Sequence, residues 1–559
     1  MIARPLLPAL LLAALAACVA TDEPPALGTA DQPVTMWRGE IKTLVLIAEF
    51  AQNEAPATLV ARAAEQIKGL DTFIRANSYD RAWLDYAVMG PYLLSSTGCH
   101  TNGWDGYNDA KTLRETALLI DPQIDFSQYD LIIMLSKDES LCPPGNTGYA
   151  PGGTLQQQVP TVEPITGGVV RMALRALPAG DTSLQTTYAH EFGHVMHAGH
   201  FDALRCTRPD GTPTTMAHTS AQGTCVGRPS FSDLVAVDPM GGRYSHFTAA
   251  NKQLFGWLDP ADIASTRDGT YTLTPLSTAG GLKMIEVPLV NSTHHSYVLE
   301  YRQPTGYDAA AYSEGPTLSG VFMYVRPPAD NGFWTPKALD LPPYETGQIQ
   351  ATALPLAWQL PDGSYAPSYI DSAQGIAIFV YSMSPTGAVV GVKSMRNWAR
   401  SSNGGTISAS STSTQSGTGR AYANDGVRVA HSWGGWWQAA TTTNVGGGCY
   451  SPSAWIYAGF STNRTIQEVD VIGLQDSYSG AFEPFPGMIA NFYGLRHFHV
   501  QYLSVTGAWT DVPNGYVTWN NQVWNQLTFE PINTRYIRVL IECVMGNRAR
   551  LVELEAHGW

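Results

Sequence analysis

No run of lysine or arginine occurs anywhere in this chain, and basic residues are outnumbered by acidic ones, 33 to 47, for a formal net charge of −14. Nucleic acid is excluded as a partner, because neutralising phosphates takes a basic patch. An anionic membrane face is disfavoured on the same ground. Past the N-terminus no apolar stretch reaches the length of a membrane helix, so a bilayer is within reach only through a lipid. Cysteine is scarce, seven in 559 residues, and no pair has the CxxC spacing of a zinc knuckle. Charged residues make up 14% against 44% hydrophobic, which excludes a disordered chain. The length exceeds what one core can serve and predicts about three or four domains.

The N-terminus, "MIARPLLPALLLAALAAC", has one early positive charge at Arg4, then a short apolar run ending in Leu15-Ala16-Ala17-Cys18. It resembles a bacterial lipoprotein signal (residues 1–18) with lipidation at Cys18; ordinary secretory cleavage near Ala20 is the alternative. Both predict export from a bacterial cell, then anchoring in the outer membrane or at the cell surface, or release. Residues 19–34 are rich in Pro, Ala and acids and fit a tether. Six cysteines remain, and an even number in an exported chain reads as disulfides. Their distribution suggests Cys99–Cys142, Cys206–Cys225 and Cys449–Cys543, one of fifteen possible pairings.

From Lys42 strand and helix signals alternate. "KTLVLIAEF" (Lys42–Phe50) reads as a buried strand, Ala57–Arg75 as an amphipathic helix, "WLDYAVMGPYLL" as strand, Asn108–Leu119 as helix, and "YDLIIMLS" and "GGVVRMAL" as further strands. This predicts an α/β domain over residues 35–262. Short strands broken by Gly, Pro and Asn ("TYTLTPL", "HSYVLEYRQP", "SGVFMYVRPP", "GIAIFVYSM") then predict a β-sandwich over 263–398. "SSNGGTISASSTSTQSGTGR" (Ser401–Arg420) lacks apolar periodicity, so residues 399–420 are expected to be a flexible linker. Residues 421–559 are strand-rich again and heavy in tryptophan.

The densest chemistry lies in "TTYAHEFGHVMHAGHFD" (Thr186–Asp202), with four histidines in eleven residues. On a helix His190 and His194 project from one face, so both imidazoles can meet one Zn2+ at about 2.0–2.1 Å. Glu191 can lie beside that metal without binding it and act as general base. This is the HExxH arrangement, though five such residues also describe a solvated helix with incidental histidines. His200 follows His190 by ten residues, the spacing of the extended HExxHxxGxxH signature. His197 stands where that signature has glycine. Were the helix to continue, its Cα would lie about 10.5 Å along the axis from His190, awkward for a shared ion. His197 is therefore expected to support the site in a left-handed turn, which histidine tolerates better than most residues.

"VAVDPMGGRYSHFTAANKQLFGWL" follows about forty residues later. Met240 in its "DPMGG" resembles the metzincin Met-turn. From Lys42 to Lys393, including "SYVLEYRQPTGYD", the chain resembles the gametolysin family of metzincin zinc peptidases. The resemblance implies that His190, His194 and His200 bind one catalytic zinc, that Glu191 is the general base, and that Met240 floors the site without coordinating. Asp202 is a rival ligand, because some relatives use an aspartate near there. Tyr244 is a candidate extra ligand or oxyanion stabiliser, although it stands two residues further past the Met-turn than in relatives that use one. Between Cys18 and the first strand there is neither length nor cysteine for a latency-imposing pro-segment, so no cysteine-switch latency is expected.

Residues 421–559, with "ANDGVRVAHSWGGWW", "FHVQYLSVTGAWTDV", "TRYIRVLIEC" and "ARLVELEAHGW", resemble the discoidin (coagulation-factor C-type) family of β-sandwiches, which often bind sugars and sometimes phospholipid. Exposed aromatics suit the C–H faces of sugars, making Trp433, Trp436 and Trp437 candidates, with Arg496 and His497 as hydrogen-bonding partners. For each tryptophan a place in the core is the alternative. Some relatives hold a structural Ca2+ with a loop aspartate and a late glutamate, here Asp425 and Glu553.

The expectation is a multidomain chain: an α/β metzincin-like catalytic domain, an all-β sandwich and a C-terminal discoidin-like sandwich. Its expected activity is that of a zinc metalloendopeptidase. The substrate expected is a glycosylated or extracellular-matrix protein, which the C-terminal module concentrates by holding its glycans. The alternative is a surface adhesin with an inactive peptidase domain.

Overall fold

The computed structural model describes residues 37–50, 54–94, 115–137, 148–149, 161, 165, 167–174, 183–207, 213–214, 224–227, 237–289, 296–309, 318–326, 337–339, 354, 356–357, 365, 367–371, 374–440, 443–446, 449–451, 454–485 and 487–559. The signal with Cys18, the tether, and Cys99 and Cys142 lie outside them.

The first layer is a sheet in the order β2-β1-β3-β5-β4. Its strands are β1 (Gly39–Glu49), β2 (Ala82–Leu93), β3 (Leu131–Ser136), β4 (Gly148–Tyr149) and β5 (Gly168–Ala173). All its ladders are parallel except that of the edge strand β4. β1 is buried from Thr43 to Glu49 and β3 throughout, which is why both read as unbroken apolar runs. Helix α1 (Pro56–Ser78) joins β1 to β2 and buries Leu59, Ala63, Ile67, Leu70 and Ile74, one stripe at helical spacing. Helix α2 (Ser183–Val195) carries His190 and His194 and buries Leu184, Tyr188 and Phe192.

After α2 come β6 (Asp202–Thr207), β7 (Pro213–Thr214), β8 (Thr224–Gly227), helix α3 (Ala249–Leu254), β9 (Ile263–Ser265), β10 (Gly269–Leu273), β11 (Met284–Pro288), β12 (Ser296–Arg302), β13 (Gly320–Arg326) and β14 (Lys337–Leu339). The second sheet runs β7-β6-β14-β13-β12-β11-β9, with β8 beside β6. Cys206 and Cys225 stand opposite one another in the β6–β8 ladder. The third sheet, β10-β17-β16-β15, adds β15 (Tyr369–Asp371), β16 (Ile376–Ser384) and β17 (Gly387–Ser394).

β12 and β13 are buried along their whole length. Tyr297, Leu299, Tyr301, Val321, Met323 and Val325 pack on the third sheet. Val298, Phe322 and Tyr324, of opposite parity, join the core that holds Phe73, Phe192 and Met240. The expected border at residues 262 and 263 therefore does not divide one core from another. Strands from 202–227 belong to the second sheet, and the helical layer covers the face that a lone sandwich would leave bare.

The expected linker at 399–420 is corrected. β17 passes through Met395 into β18 (Arg396–Asn397), which pairs with β28 (Glu553–Gly558). β19 (Thr406–Ala409) pairs with the first half of β23 (Ala454–Ile472). The glycines allow close backbone approach rather than looseness. A Cβ on Gly405 would fall 2.0 Å from the Ala399 carbonyl oxygen, and one on Gly417, at φ +78°, 1.8 Å from that of Trp433. Thr406 and Ser408 sit on the short strand β19, and beyond it Ser410 and Ser413 donate backbone N–H bonds to the Trp455 and Gln438 carbonyls.

Between β18 and β28 lie β20 (Trp437–Gln438), β21 (Thr443–Gly446), β22 (Cys449–Ser451), β24 (Leu495–Leu503), β25 (Trp509–Val517), β26 (Trp524–Val544) and β27 (Arg550–Leu551). The long β23 and β26 pair along most of their length through register shifts and enclose a separate core around Trp437, Val469, Phe498 and Ile541. A disulfide joins Cys449 to Cys543. Phe379 of β16 meets Trp559 edge-on at 5.2 Å, so this unit abuts the third sheet. Among the described residues no helix is long and apolar enough to cross a membrane.

Candidate metal centre

The Nε2 atoms of His190 and His194 lie 3.1 Å apart, and those of His194 and His200 3.2 Å. His190 Nδ1 is 2.8 Å from the Pro239 carbonyl and His194 Nδ1 2.8 Å from that of Ala198. Carbonyl oxygens only accept, so both Nδ1 atoms carry the proton and Nε2 of each neutral ring carries the lone pair that can ligate a metal. Lone pairs at this distance repel unless a cation lies between them. Tetrahedral zinc at 2.0–2.1 Å sets neighbouring nitrogens about 3.3–3.4 Å apart, close to the spacings found, and three imidazoles suit zinc chemically. Burial pushes the His190 ring down to about 4, and burial with the neighbouring His190 and His200 pushes His194 down to about 3. Burial lowers His200 as well. At neutral pH the ligand form is thus the ordinary one. Glu191 is half-buried on the same helix, one residue after His190.

His197 ends the helix at φ 67°, with its N–H on the His194 carbonyl and that of Ala198 on the Gly193 carbonyl. This is the Schellman motif with His197 in the glycine position, and it lets the chain double back so that His200 reaches the other two rings. His197 itself is exposed. Asp202 opens β6, its backbone paired with Lys337, and its side chain lies outside the described residues.

Met240 is fully buried, with its sulfur against Gly193 of α2. Its turn, Pro239–Gly241, is capped by Asp238, which accepts from the Gly241 N–H at 3.2 Å. The Met240 carbonyl accepts from Phe201 N–H at 3.1 Å, directly after His200. Tyr244, a candidate extra ligand, is a core residue, its ring stacked on Phe73 at 5.2 Å and edge-on to Tyr307.

In the C-terminal unit the three tryptophans differ. Trp433 is 89% exposed, whereas Trp436 and Trp437 are buried, Trp436 against Tyr478 and Trp437 with its indole N–H on Ser411. The latter two are corrected to core residues. A glycine-broken loop has no fixed alternation of faces, so composition does not say which of its rings meets water. Arg496 and His497 flank Trp519, 69% exposed, at 4.6 and 5.0 Å from its ring. Trp519 is a residue that the motifs did not single out; its "TWNN" turn was a usable signal.

Asp425 and Glu553 come together. Glu553 Oε1 accepts from Gly426 N–H at 3.1 Å, its buried Oε2 has no hydrogen-bond partner, and burial with the Glu555 and Asp425 charges pushes its carboxyl up to about 9. A second buried cluster, Glu468, Asp470 and His557, is a paired ion network: His557 Nε2 lies 2.9 Å from Glu555, which also takes two bonds from Arg428.

No family model and no curated protein matches the chain. Among solved structures it is similar to sugar-binding modules. One is chitosan-binding module 1 of a chitosanase/glucanase from Paenibacillus sp. IK-5 (20% identity, 29% of this chain and 99% of that one, TM-score 0.21). Another is the family 32 carbohydrate-binding module from C. perfringens NanJ with galactose (18% identity, 27% and 93%, TM-score 0.20). A third is the lectin domain of lectinolysin with Lewis B antigen (20% identity, 29% and 95%, TM-score 0.22).

Proposed function

We propose that the chain is a zinc-dependent metalloendopeptidase of metzincin type, exported from a bacterial cell, lipid-anchored through Cys18 or secreted, with a glycan-binding C-terminal sandwich. The observation that carries the reading is the convergence of the Nε2 atoms of His190, His194 and His200, with Glu191 following His190 on the same helix. Zinc held there supplies Lewis-acid activation of water and of the scissile carbonyl. His190 and His194, pinned through Nδ1, keep their lone pairs aimed inward. Glu191 takes the proton of the attacking water and returns it to the leaving amine. Met240 closes the floor with an apolar surface. The Cys449–Cys543 bond supports export, since disulfides persist in oxidising compartments.

Trp519, exposed between Arg496 and His497, supports glycan binding: its ring offers a stacking face and its neighbours offer donors. A glycoprotein substrate follows from pairing that surface with the peptidase site. The orphaned, buried Glu553 oxygen supports a structural Ca2+ held with Asp425.

The test is zinc content and cleavage of a mixed glycoprotein panel by the full chain and by Glu191→Gln. One zinc in both, with cleavage reduced about 10²–10⁴-fold in the variant, is the expected outcome. A chain that takes up no zinc sinks the assignment. Zinc without cleavage favours the adhesin.

A further inference from the structure

Beyond the Met240 turn, six consecutive backbone N–H groups each donate to a side chain. His246 donates to Asp308 Oδ1 (3.0 Å), Phe247 to Asn77 Oδ1 (2.8 Å) and Thr248 to Asp238 Oδ2 (3.2 Å). Ala249 donates to Glu300 Oε2 (2.7 Å), Ala250 to the Tyr324 hydroxyl (3.0 Å) and Asn251 to Thr248 Oγ1 (3.4 Å). The segment is buried, and the first turn of α3 has no internal acceptors for its N–H groups, so other groups must supply them. Three of these side chains, Glu300, Tyr324 and Asp308, come from the strands of the second sheet or the turn after β12.

Arg302, fully buried on β12, binds this array together. Its Nε donates to Glu300 Oε1 at 2.6 Å, and its Nη1 to Asp308 Oδ1 at 3.0 Å and to the His246 carbonyl at 3.1 Å. Asp238 connects the array to the histidines. Its carboxylate accepts from Gly241 N–H inside the Met240 turn, and from Thr248 N–H and Asn251 Nδ2 (2.7 Å) at the start of α3. The same turn supplies the Pro239 carbonyl that orients His190 and the Met240 carbonyl that holds Phe201 behind His200. A shift of the turn therefore reaches two of the three imidazoles.

We propose that Asp238, fixed by the Glu300–Arg302–Asp308 array, is the positioning residue of the tri-histidine centre, so that the second sheet builds the metal site from beneath. The proposal rests on the zinc reading above. Its test compares the full-length parent, Asp238→Asn and Tyr324→Phe in three measurements. These are Zn2+ affinity by competition with a chromophoric chelator, the visible bands of the Co2+-loaded protein, and the melting temperature of the metal-free protein. Asp238→Asn keeps size and one acceptor oxygen but loses the charge and the second acceptor. Its Zn2+ affinity is expected to fall about tenfold or more, as for other outer partners of metal-binding histidines, with the Co2+ bands moved at saturation.

A merely structural contact would lower the melting temperature and leave affinity and bands alone. That result, in a parent that binds zinc, overturns the proposal. If Asp238→Asn does not fold, Tyr324→Phe removes one hydroxyl from the array and is expected to weaken zinc by a smaller factor; unchanged affinity there overturns it equally. A parent that binds no zinc overturns the zinc reading itself, and with it the proposal, so the first measurement tells the two failures apart.

Discussion

Gly193 and Met240 contend for one space: a Cβ on Gly193 would fall 2.3 Å from the Met240 sulfur. Alanine is the better helix former by about 1 kcal/mol, so Gly193→Ala should stabilise an ordinary helix. Here it should destabilise by about 1–3 kcal/mol, the usual cost of overpacking, because Met240 and its turn must move. Urea unfolding of the variant measures this. A gain in stability would mean that the turn yields freely and that the contact does not set its position.

His197 holds a left-handed backbone at φ 67°, at a cost in stability. His197→Gly should raise stability by about 1 kcal/mol, and His197→Val should lower it, since a β-branched residue suits that region least. Thermal unfolding of both variants with zinc analysis is the check. Bound zinc lost from His197→Gly would make this residue a member of the centre.

Glu553 predicts a pH dependence with a definite sign. Its folded pKa, about 9, lies above the ordinary 4.5, so the folded chain keeps a proton that the unfolded chain gives up. The stability tied to this group is complete below about 4.5 and drains away as pH climbs towards 9. Melting curves from pH 5 to 9 should show that decline, Ca2+ should reverse it at the alkaline end, and Glu553→Gln should flatten it. A C-terminal unit equally stable at both ends, without Ca2+, contradicts the account.

The tryptophans should separate by kind. Trp437→Ala removes a fully buried ring and should cost about 3–5 kcal/mol. Trp519→Ala should change stability by under about 0.5 kcal/mol while abolishing retention on glycan surfaces. Retention unaltered by Trp519→Ala would move the sugar site elsewhere, with exposed Trp433 the next residue to change.

What could be read without coordinates was mostly local. His190, His194 and His200 lie within eleven residues, and helix geometry plus one turn relates them, so their grouping is visible in a string. The unbroken apolar runs of β1 and β3 announced a sheet covered on both faces. Asp238, Glu300 and Arg302 were opaque because they meet across a sequence gap of about sixty residues, and a charge inside "SYVLEYR" looks like any solvent-facing strand position until its burial is known. Ser401–Arg420 misled for a different reason: glycine that permits close approach and glycine that confers looseness have the same letter. In the same way, neighbouring tryptophans in a bent loop give no sign of which one faces water.

β12 and β13 have no side that faces water. For anyone dissecting the molecule, a fragment ending near residue 262 would discard Val298, Phe322 and Tyr324 from the core around Phe192 and Met240. Such a fragment should aggregate or stay partly unfolded. In a scanning calorimeter, residues 37–394 of the intact chain should melt under a single peak, because neither face of the shared sheet can be laid open alone.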